Sequence, residues 1–259
     1  MNYSFKLLYS GSDGNAALLL AGNTRLLIDA GRTAKALTAA LDAAAVSPDS
    51  IHAILLTHEH RDHTAALNVF LKKHPIPVHV TTASAARLRT TGNDALLSCI
   101  VEHAPLFEEQ IGDLHISSFE TLHDSACSVG YRISFPEGDE MHTLGYATDL
   151  GAVTPTVEEA LTGCEAVVIE CNHDEDMLLT GPYPADLKRR IAGRYGHLSN
   201  RECAALCARL AERGTRRFLL AHLSETNNLP DLALSEVCAA LAGTGAHVAA
   251  ADPFITTEL

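Results

Sequence analysis

Short apolar runs along this chain repeatedly stop at a residue able to bind a metal or move a proton. Leu26-Leu27-Ile28 stops at Asp29, Ile54-Leu55-Leu56-Thr57 at His58, and Leu144-Gly145-Tyr146-Ala147-Thr148 at Asp149. Val167-Val168-Ile169 stops at Glu170, and Phe218-Leu219-Leu220-Ala221 at His222. Apolar runs this short, bounded by polar residues, predict buried strands. Layered α/β folds collect their ligands beyond the carboxyl ends of such strands, so five strand ends are expected to meet on one rim.

Helical patterning fills the intervals. Residues 33–45 are Ala-rich and place Leu37 and Leu41 one turn apart. Residues 62–73 set Leu67, Phe70 and Leu71 on one face, with Asp62 as the expected N-cap and Pro75 as the stop. A shorter helix is expected over 184–193. Ser199-Asn200-Arg201-Glu202 reads as a capping box opening a helix whose apolar face is Cys203, Leu206, Cys207 and Leu210, and which Gly214 ends. Residues 1–31 and 100–148 read as strands and tight turns. Strand clusters mixed with helices predict an α/β (α+β) fold of two sheets covered by outer helices, in one domain over 1–259. No solenoid-period repeat, linker or low-complexity tract interrupts it.

Composition changes this picture in several places. Of the 259 residues 47% are hydrophobic but only 5% aromatic, with no Trp, so the core must be built from aliphatic side chains. Seven cysteines, an odd number with no C-x-x-C pair, argue against a disulfide framework or a zinc ribbon, and Cys203 and Cys207 read as small core residues. The N-terminus lacks a basic segment followed by an apolar run, and no apolar stretch reaches membrane-spanning length, so a soluble, cytoplasmic protein is expected. A formal net charge of −13 and the lack of a basic stripe weaken the case for binding long duplex nucleic acid. Bound divalent cations would offset that charge locally. Fourteen histidines among 32 acidic residues point the same way, toward a metal site.

The sharpest signal is Thr57-His58-Glu59-His60-Arg61-Asp62-His63. Imidazole and carboxylate suit Zn²⁺, Mn²⁺ and Fe²⁺. Alternate residues leaving a strand end diverge, so His58 and His60 can serve one ion while Asp62 and His63 serve its neighbour. This T-H-x-H-x-D-H pattern resembles the signature of the metallo-β-lactamase superfamily. That resemblance implies a four-layer αβ/βα sandwich with a dimetal site on one edge. It implies that Asp29, in Leu-Leu-Ile-Asp-Ala-Gly, orients the histidine loop from outside the ligand set. His123, in Thr-Leu-His-Asp-Ser, matches the third motif, Asp149, in Tyr-Ala-Thr-Asp, the fourth, and His222, in Leu-Ala-His-Leu-Ser, the fifth. The implied sites are His58, His60, His123 and Asp149 for one ion, and Asp62, His63, Asp149 and His222 for the other. Asp124 is open to two readings, a support for its neighbour His123 or part of a surface turn. His103, His115, His142 and His247 match no motif and are expected to be structural or exposed.

Two metals suit hydrolysis by a bridging hydroxide, but such ligands do not choose between phosphodiesters, lactams and thioesters. Glu170 at a strand end and His197 just before a helix can pair, making the imidazole a general acid for an alkoxide leaving group. Phosphodiester cleavage needs such a donor, and Glu170, His197 and Asp62 form the expected catalytic set. The pair is similar to one in the tRNase Z and phosphodiesterase branch, although no protruding arm is seen here. S-G-S-x-G-N over residues 10–15, E-x-N-H-D over 170–174, G-H-L-S-N over 196–200 and A-H-L-S-x-x-N-N over 221–228 resemble the YycJ/WalJ-like subgroup over nearly the whole chain. That resemblance implies a phosphodiesterase or nuclease, including DNA exonuclease action, with DNA or RNA ends as partners. Ser12, Asn15 and His173 are substrate-contact candidates, with turn formation the other reading of Ser12 and Asn15. A thioesterase or lactonase is the competing enzyme. A non-catalytic, metal-stabilised binding protein is the competing class, and retention of every ligand argues against it.

Overall fold

The computed structural model describes residues 3–253 and 255–259. The first half of the chain lays down one sheet. Strands β1 (Tyr3–Tyr9), β2 (Ala16–Ala21) and β3 (Thr24–Ile28) form an antiparallel meander. The chain then crosses over through α1 (Ala34–Ala43) to β4 (Ala53–Leu55), which pairs parallel with β3. Helices α2 (Arg61–Thr64) and α3 (Leu67–Phe70) lead to β5 (Val78–Thr81), and α4 (Thr82–Thr91) and α5 (Asp94–Leu97) to β6 (Ile100–His103), again parallel.

The second half follows the same plan. An antiparallel meander of β7 (Glu108–Ile111), β8 (Leu114–Glu120), β9 (Val129–Glu137) and β10 (Glu140–Ala147) comes first. Parallel strands follow: β11 (Ala166–Glu170) after α6 (Pro155–Leu161), and β12 (Arg217–Ala221) after α7 (Glu175–Thr180), α8 (Ala185–Ile191) and α9 (Asn200–Glu212). Then α10 (Pro230–Ala240) leads to β13 (His247–Ala250), and β14 (Thr257–Glu258) returns to the edge of β1. The two seven-stranded sheets run β14-β1-β2-β3-β4-β5-β6 and β13-β12-β11-β10-β9-β8-β7.

Their facing sides bury one core, which includes Phe5, Leu7, Leu26, Leu55, Ile116, Tyr131, Ile133 and Val168. Two further cores lie under the outer helices. Leu27, Ile54 and Val78 meet Leu37, Leu41, Phe70 and Leu88 on one side, and Val167, Ile169 and Leu220 meet Val157, Leu206, Leu210 and Val237 on the other. This is the αβ/βα sandwich that the sequence led us to expect. Strands covered on both faces need unbroken apolar runs, which is why β4, β11 and β12 show no alternation. Among the described residues no helix is long and apolar enough to cross a membrane.

Local chemistry explains most element ends. Ser199 accepts from the Glu202 backbone N–H while Glu202 caps back, the capping box expected at α9 and a contribution of about 1 kcal/mol. Cys203 and Cys207 are fully buried on that helix, as free thiols. The expected helix over 62–73 differs. It is broken into α2 and α3, and His60, not Asp62, precedes its first turn. The cause is backbone competition from neighbouring loops. The Asp62 carbonyl accepts from Asn15 N–H (2.8 Å), the His63 carbonyl from Ala30 N–H (2.8 Å), and Ala66 N–H donates to the Ala30 carbonyl (3.0 Å). These groups would otherwise close the i, i−4 bonds of a continuous helix. The exchange needs room: a Cβ on Gly31 would lie 1.8 Å from the Asp62 carbonyl oxygen, so only glycine fits there.

Candidate metal and hydrolytic site

All five strand ends singled out by the apolar runs meet on one edge of the sandwich. Asp29 follows β3, His58 follows β4, Asp149 follows β10, Glu170 ends β11 and His222 follows β12. Three of them, Asp29 (φ 62°), Asp149 (φ 54°) and His222 (φ 56°), are in the left-handed region. Such a conformation costs a non-glycine residue roughly 1–3 kcal/mol and recurs where geometry serves function. Here it turns each chain sharply off its strand. The two sheets are tied together at this edge by Val129 N–H to the Thr57 carbonyl (3.1 Å) and by His222 N–H to Ser10 Oγ (2.8 Å).

The histidines are held by one nitrogen and converge with the other. Nδ1–H of His63 donates to Asp29 Oδ2 (2.8 Å), that of His123 to the Gly196 carbonyl (3.1 Å), and that of His222 to Glu170 Oε1 (3.0 Å). His58 Nδ1 meets Thr57 Oγ1 at 3.0 Å, and that hydroxyl is itself anchored on Asp29. Each of these four rings thereby presents Nε2 inward. The donor atoms of His58, His60 and His123 lie within 4.8 Å of one another, and so do those of Asp62, His63, Asp149 and His222. Buried His58 Nε2, His222 Nε2 and Asp149 Oδ2 have no hydrogen-bond partner. Buried polar atoms left unpaired are costly, and here they point at one another. Neutral imidazole nitrogens oriented by outer carboxylates and carbonyls, beside shared carboxylates, are the donor chemistry of a divalent metal centre. A divalent ion fits this cluster.

Electrostatics at the cluster are strongly perturbed. Burial, then the neighbouring His63, keeps the His58 pKa well below the ordinary histidine value. Burial opposes protonation of His63, but Asp29, Asp149 and Asp62 outweigh it and raise its pKa. Burial likewise opposes ionisation of Asp149, yet His222 and His63 hold its carboxyl well below the usual range. Excess carboxylate that only imidazoles neutralise is what a cation would relieve.

Glu170 is fully buried, and its carboxylate is fully used. Oε1 takes Nδ1–H of His197 (2.8 Å) and of His222, and Oε2 takes the backbone N–H of Leu150 (2.7 Å) and Leu198 (3.1 Å). One carboxylate oxygen also lies within 4.8 Å of potential ligand atoms of Asp149, His197 and His222. Burial lowers the pKa of His197, but Glu170 more than reverses this and raises it. His197 lines a cleft with Ser12, His123, Asp124, Asn172 and Tyr183. Its Nε2 is the nitrogen left free.

The other candidates fall into place unevenly. Ser12 is exposed at the cleft rim. Asn15 is buried beneath it, where its amide meets the Gly11 carbonyl (3.1 Å), His63 Nε2 (3.1 Å) and Asp62 Oδ2 (3.4 Å). His173 is only 2% exposed and is not part of the cleft lining. Asp124 pairs with Arg190 and lies 3.4 Å from His123 Nε2. Away from this edge, His103 hydrogen-bonds His79 (2.9 Å) and stacks on Phe107, and His142 bonds Glu165 (2.8 Å).

Several residues were not reached from the sequence. Ser10 carries the His222 backbone. Asn172 donates to the His222 carbonyl (2.8 Å) and faces the cleft. Asn200 and Asn228 exchange two amide hydrogen bonds (2.9 and 2.8 Å), and Asn228 also reaches the Cys171 carbonyl, clamping the loops after β11 and β12 to α9. The motif wording around 10–15, 170–174, 196–200 and 221–228 contained these residues but not their partners.

Known proteins match this arrangement. A β-lactamase superfamily domain matches residues 24–223. The exodeoxyribonuclease YycJ of Bacillus anthracis is 33% identical over 269 residues, covering 100% of this chain and 99% of the relative. The exodeoxyribonuclease WalJ of Streptococcus pneumoniae is 31% identical over 237 residues, covering 90% and 86%. Among solved structures, the metallo-β-lactamase fold protein YhfI from Bacillus subtilis superposes with a TM-score of 0.73 at 18% identity over 99% of each chain, a likeness of fold. The chain therefore belongs to the β-lactamase superfamily, alongside the YycJ and WalJ proteins.

Proposed function

We propose that this chain is a dinuclear metal-dependent phosphodiesterase that shortens DNA from an end. The observation that carries the reading is the Glu170–His197 pair beside Asp149. A buried carboxylate fixes an imidazole at the cleft wall, 3.9 Å from Asp149 Oδ1 at its bonded nitrogen, with its other nitrogen free. A protonated imidazole so placed is a general acid, which an alkoxide leaving group requires and a β-lactam needs less. The name exodeoxyribonuclease borne by YycJ and WalJ supports DNA as the diester.

In this reading His58, His60, His123 and Asp149 hold one ion, and Asp62, His63, Asp149 and His222 hold the other, with Asp149 shared. The thiolate-free donor set suits Zn²⁺ or Mn²⁺, with Fe²⁺ as a third choice. When bound, the pair of ions supplies an activated water and offsets charge on the phosphate. The protein does the rest. His197 passes its proton to the leaving oxygen, and Glu170 holds the ring and balances its charge. Asp29 keeps Nε2 of His63 aimed at the site. Ser12 contacts the diester from the rim. Asn15 acts from below, by fixing the loop that carries Asp62 and His63.

Metal-loaded protein should be tested against end-labelled single- and double-stranded DNA, RNA, bis-p-nitrophenyl phosphate, S-lactoylglutathione and a lactone. We expect DNA to be shortened from an end and the small diester to be hydrolysed. Turnover of the thioester or lactone with every diester untouched would overturn the reading.

A further inference from the structure

Glu59 stands between His58 and His60 in the sequence, yet its carboxylate joins neither donor group of the metal cluster. Both of its oxygens are engaged elsewhere. Oε2 accepts from Ser84 Oγ (2.6 Å), in the first turn of α4, and Oε1 accepts from the Ala126 backbone N–H (2.8 Å). Bonds to an ionised carboxylate are stronger than those between neutral groups, so this half-buried side chain is a firm anchor.

What it anchors is the loop over residues 121–128, which joins β8 to β9 and carries His123. Thr121 N–H closes the base of the loop on the Ser128 carbonyl (3.0 Å), and the cleft side is held by the Arg190–Asp124 pair and by His123 Nδ1 on the Gly196 carbonyl. Its far side is held by Glu59 and α4. Beside Ala126, the Cys127 carbonyl lies 3.2 Å from both Thr81 Oγ1 and Ser84 Oγ. One carboxylate on the His58–His60 segment thus grips the segment that supplies the third histidine. The rings so placed have centroids 5.0 Å (His58 to His123) and 5.1 Å (His60 to His123) apart.

We propose that Glu59 is a positioning residue for the metal centre, clamping the His123 loop at the spacing from His58 and His60 that a shared ion needs. This rests on the two-ion assignment above and adds the element that sets the geometry of one of the two sites. The other group, Asp62, His63, Asp149 and His222, draws nothing from residues 121–128, so the clamp acts on one ion selectively.

The test titrates chelator-stripped wild type, Glu59→Ala, Glu59→Gln and Ser84→Ala with Zn²⁺ against a chromophoric chelator, which resolves the affinity of each ion, and records melting curves of the stripped proteins. In Glu59→Ala we expect one ion to bind roughly tenfold more weakly or worse, and the other as in the wild type. Glu59→Gln should keep both affinities. Its amide oxygen can accept from Ala126 N–H and its NH₂ can donate to Ser84 Oγ, whose hydroxyl hydrogen then turns to the Cys127 carbonyl. Ser84→Ala, which leaves the Ala126 arm intact, should weaken the same ion by less, and it carries the test if Glu59→Ala does not fold. Unchanged affinities in both alanine variants would overturn the clamp. So would equal weakening of both ions with a lowered melting temperature, which would mark a general loss of stability, or a Glu59→Gln variant as weak as Glu59→Ala. A wild type that holds fewer than two ions would overturn the two-ion assignment itself, whereas two ions held equally well with and without Glu59 would overturn the clamp alone.

Discussion

Asp149→Asn is expected to lower kcat on DNA by about 10³-fold or more and to reduce bound metal, without unfolding the protein. Asp149 is the one side chain common to both donor groups in our assignment. Its carboxyl oxygens lie 3.1 Å from His63 Nε2 and 3.6 Å from both His123 and His222 Nε2. Metal-derived stabilisation of a phosphoryl transition state is worth several kcal/mol, and each 1.36 kcal/mol is a factor of ten. Asparagine is the right substitute because Asp149 has φ 54°, a region that Asn adopts more readily than Ala. Circular dichroism should therefore be unchanged while metal analysis and single-turnover rates fall together. A variant with wild-type rate and metal content would remove Asp149 from the centre.

His197→Ala is expected to separate two substrates that the metal site treats alike. Deoxyribose alkoxide is a poor leaving group and needs a proton, whereas nitrophenolate leaves without one. General acid catalysis contributes about 10²–10⁴-fold, so DNA hydrolysis should fall by that factor while bis-p-nitrophenyl phosphate is hydrolysed at close to the wild-type rate. Metal content should be retained, since His197 gives its Nδ1–H to Glu170 and belongs to neither proposed ligand set. Equal loss on both substrates would mean that the ring only supports the cluster, through its stacking on His222 at 5.2 Å.

How much of this could be read from the sequence depended on the range of the interaction. The strand ends were legible because a strand buried on both faces is an unbroken apolar run, and the polar residue ending it is conspicuous. The α9 cap was legible because Ser199 and Glu202 satisfy each other locally. The break between α2 and α3 was not, because it is made by Asn15 and Ala30, more than thirty residues away. The same applies to Asn15 and His173, whose side chains lie inside the protein rather than in the cleft. Helices α4 and α10 gave little periodic signal because they bury mainly small residues, Ser84, Ala85 and Leu88 in one, Ala233 and Val237 in the other. The cleft wall of Tyr183, Leu187 and Arg190 carries no motif, and it joins the site through contacts distant in sequence: Arg190 with Asp124, Gly196 with His123 and Gly151 with Arg194.

The central claim is that two divalent ions held at this sheet edge drive cleavage of DNA. Its most direct test is a titration of chelator-stripped protein with Mn²⁺ or Zn²⁺, following release of nucleotides from end-labelled DNA and the bound metal of the same samples. The account predicts no activity without metal and a rise that reaches its plateau at two equivalents bound per chain. Full activity at one equivalent, or in the stripped protein, would contradict it.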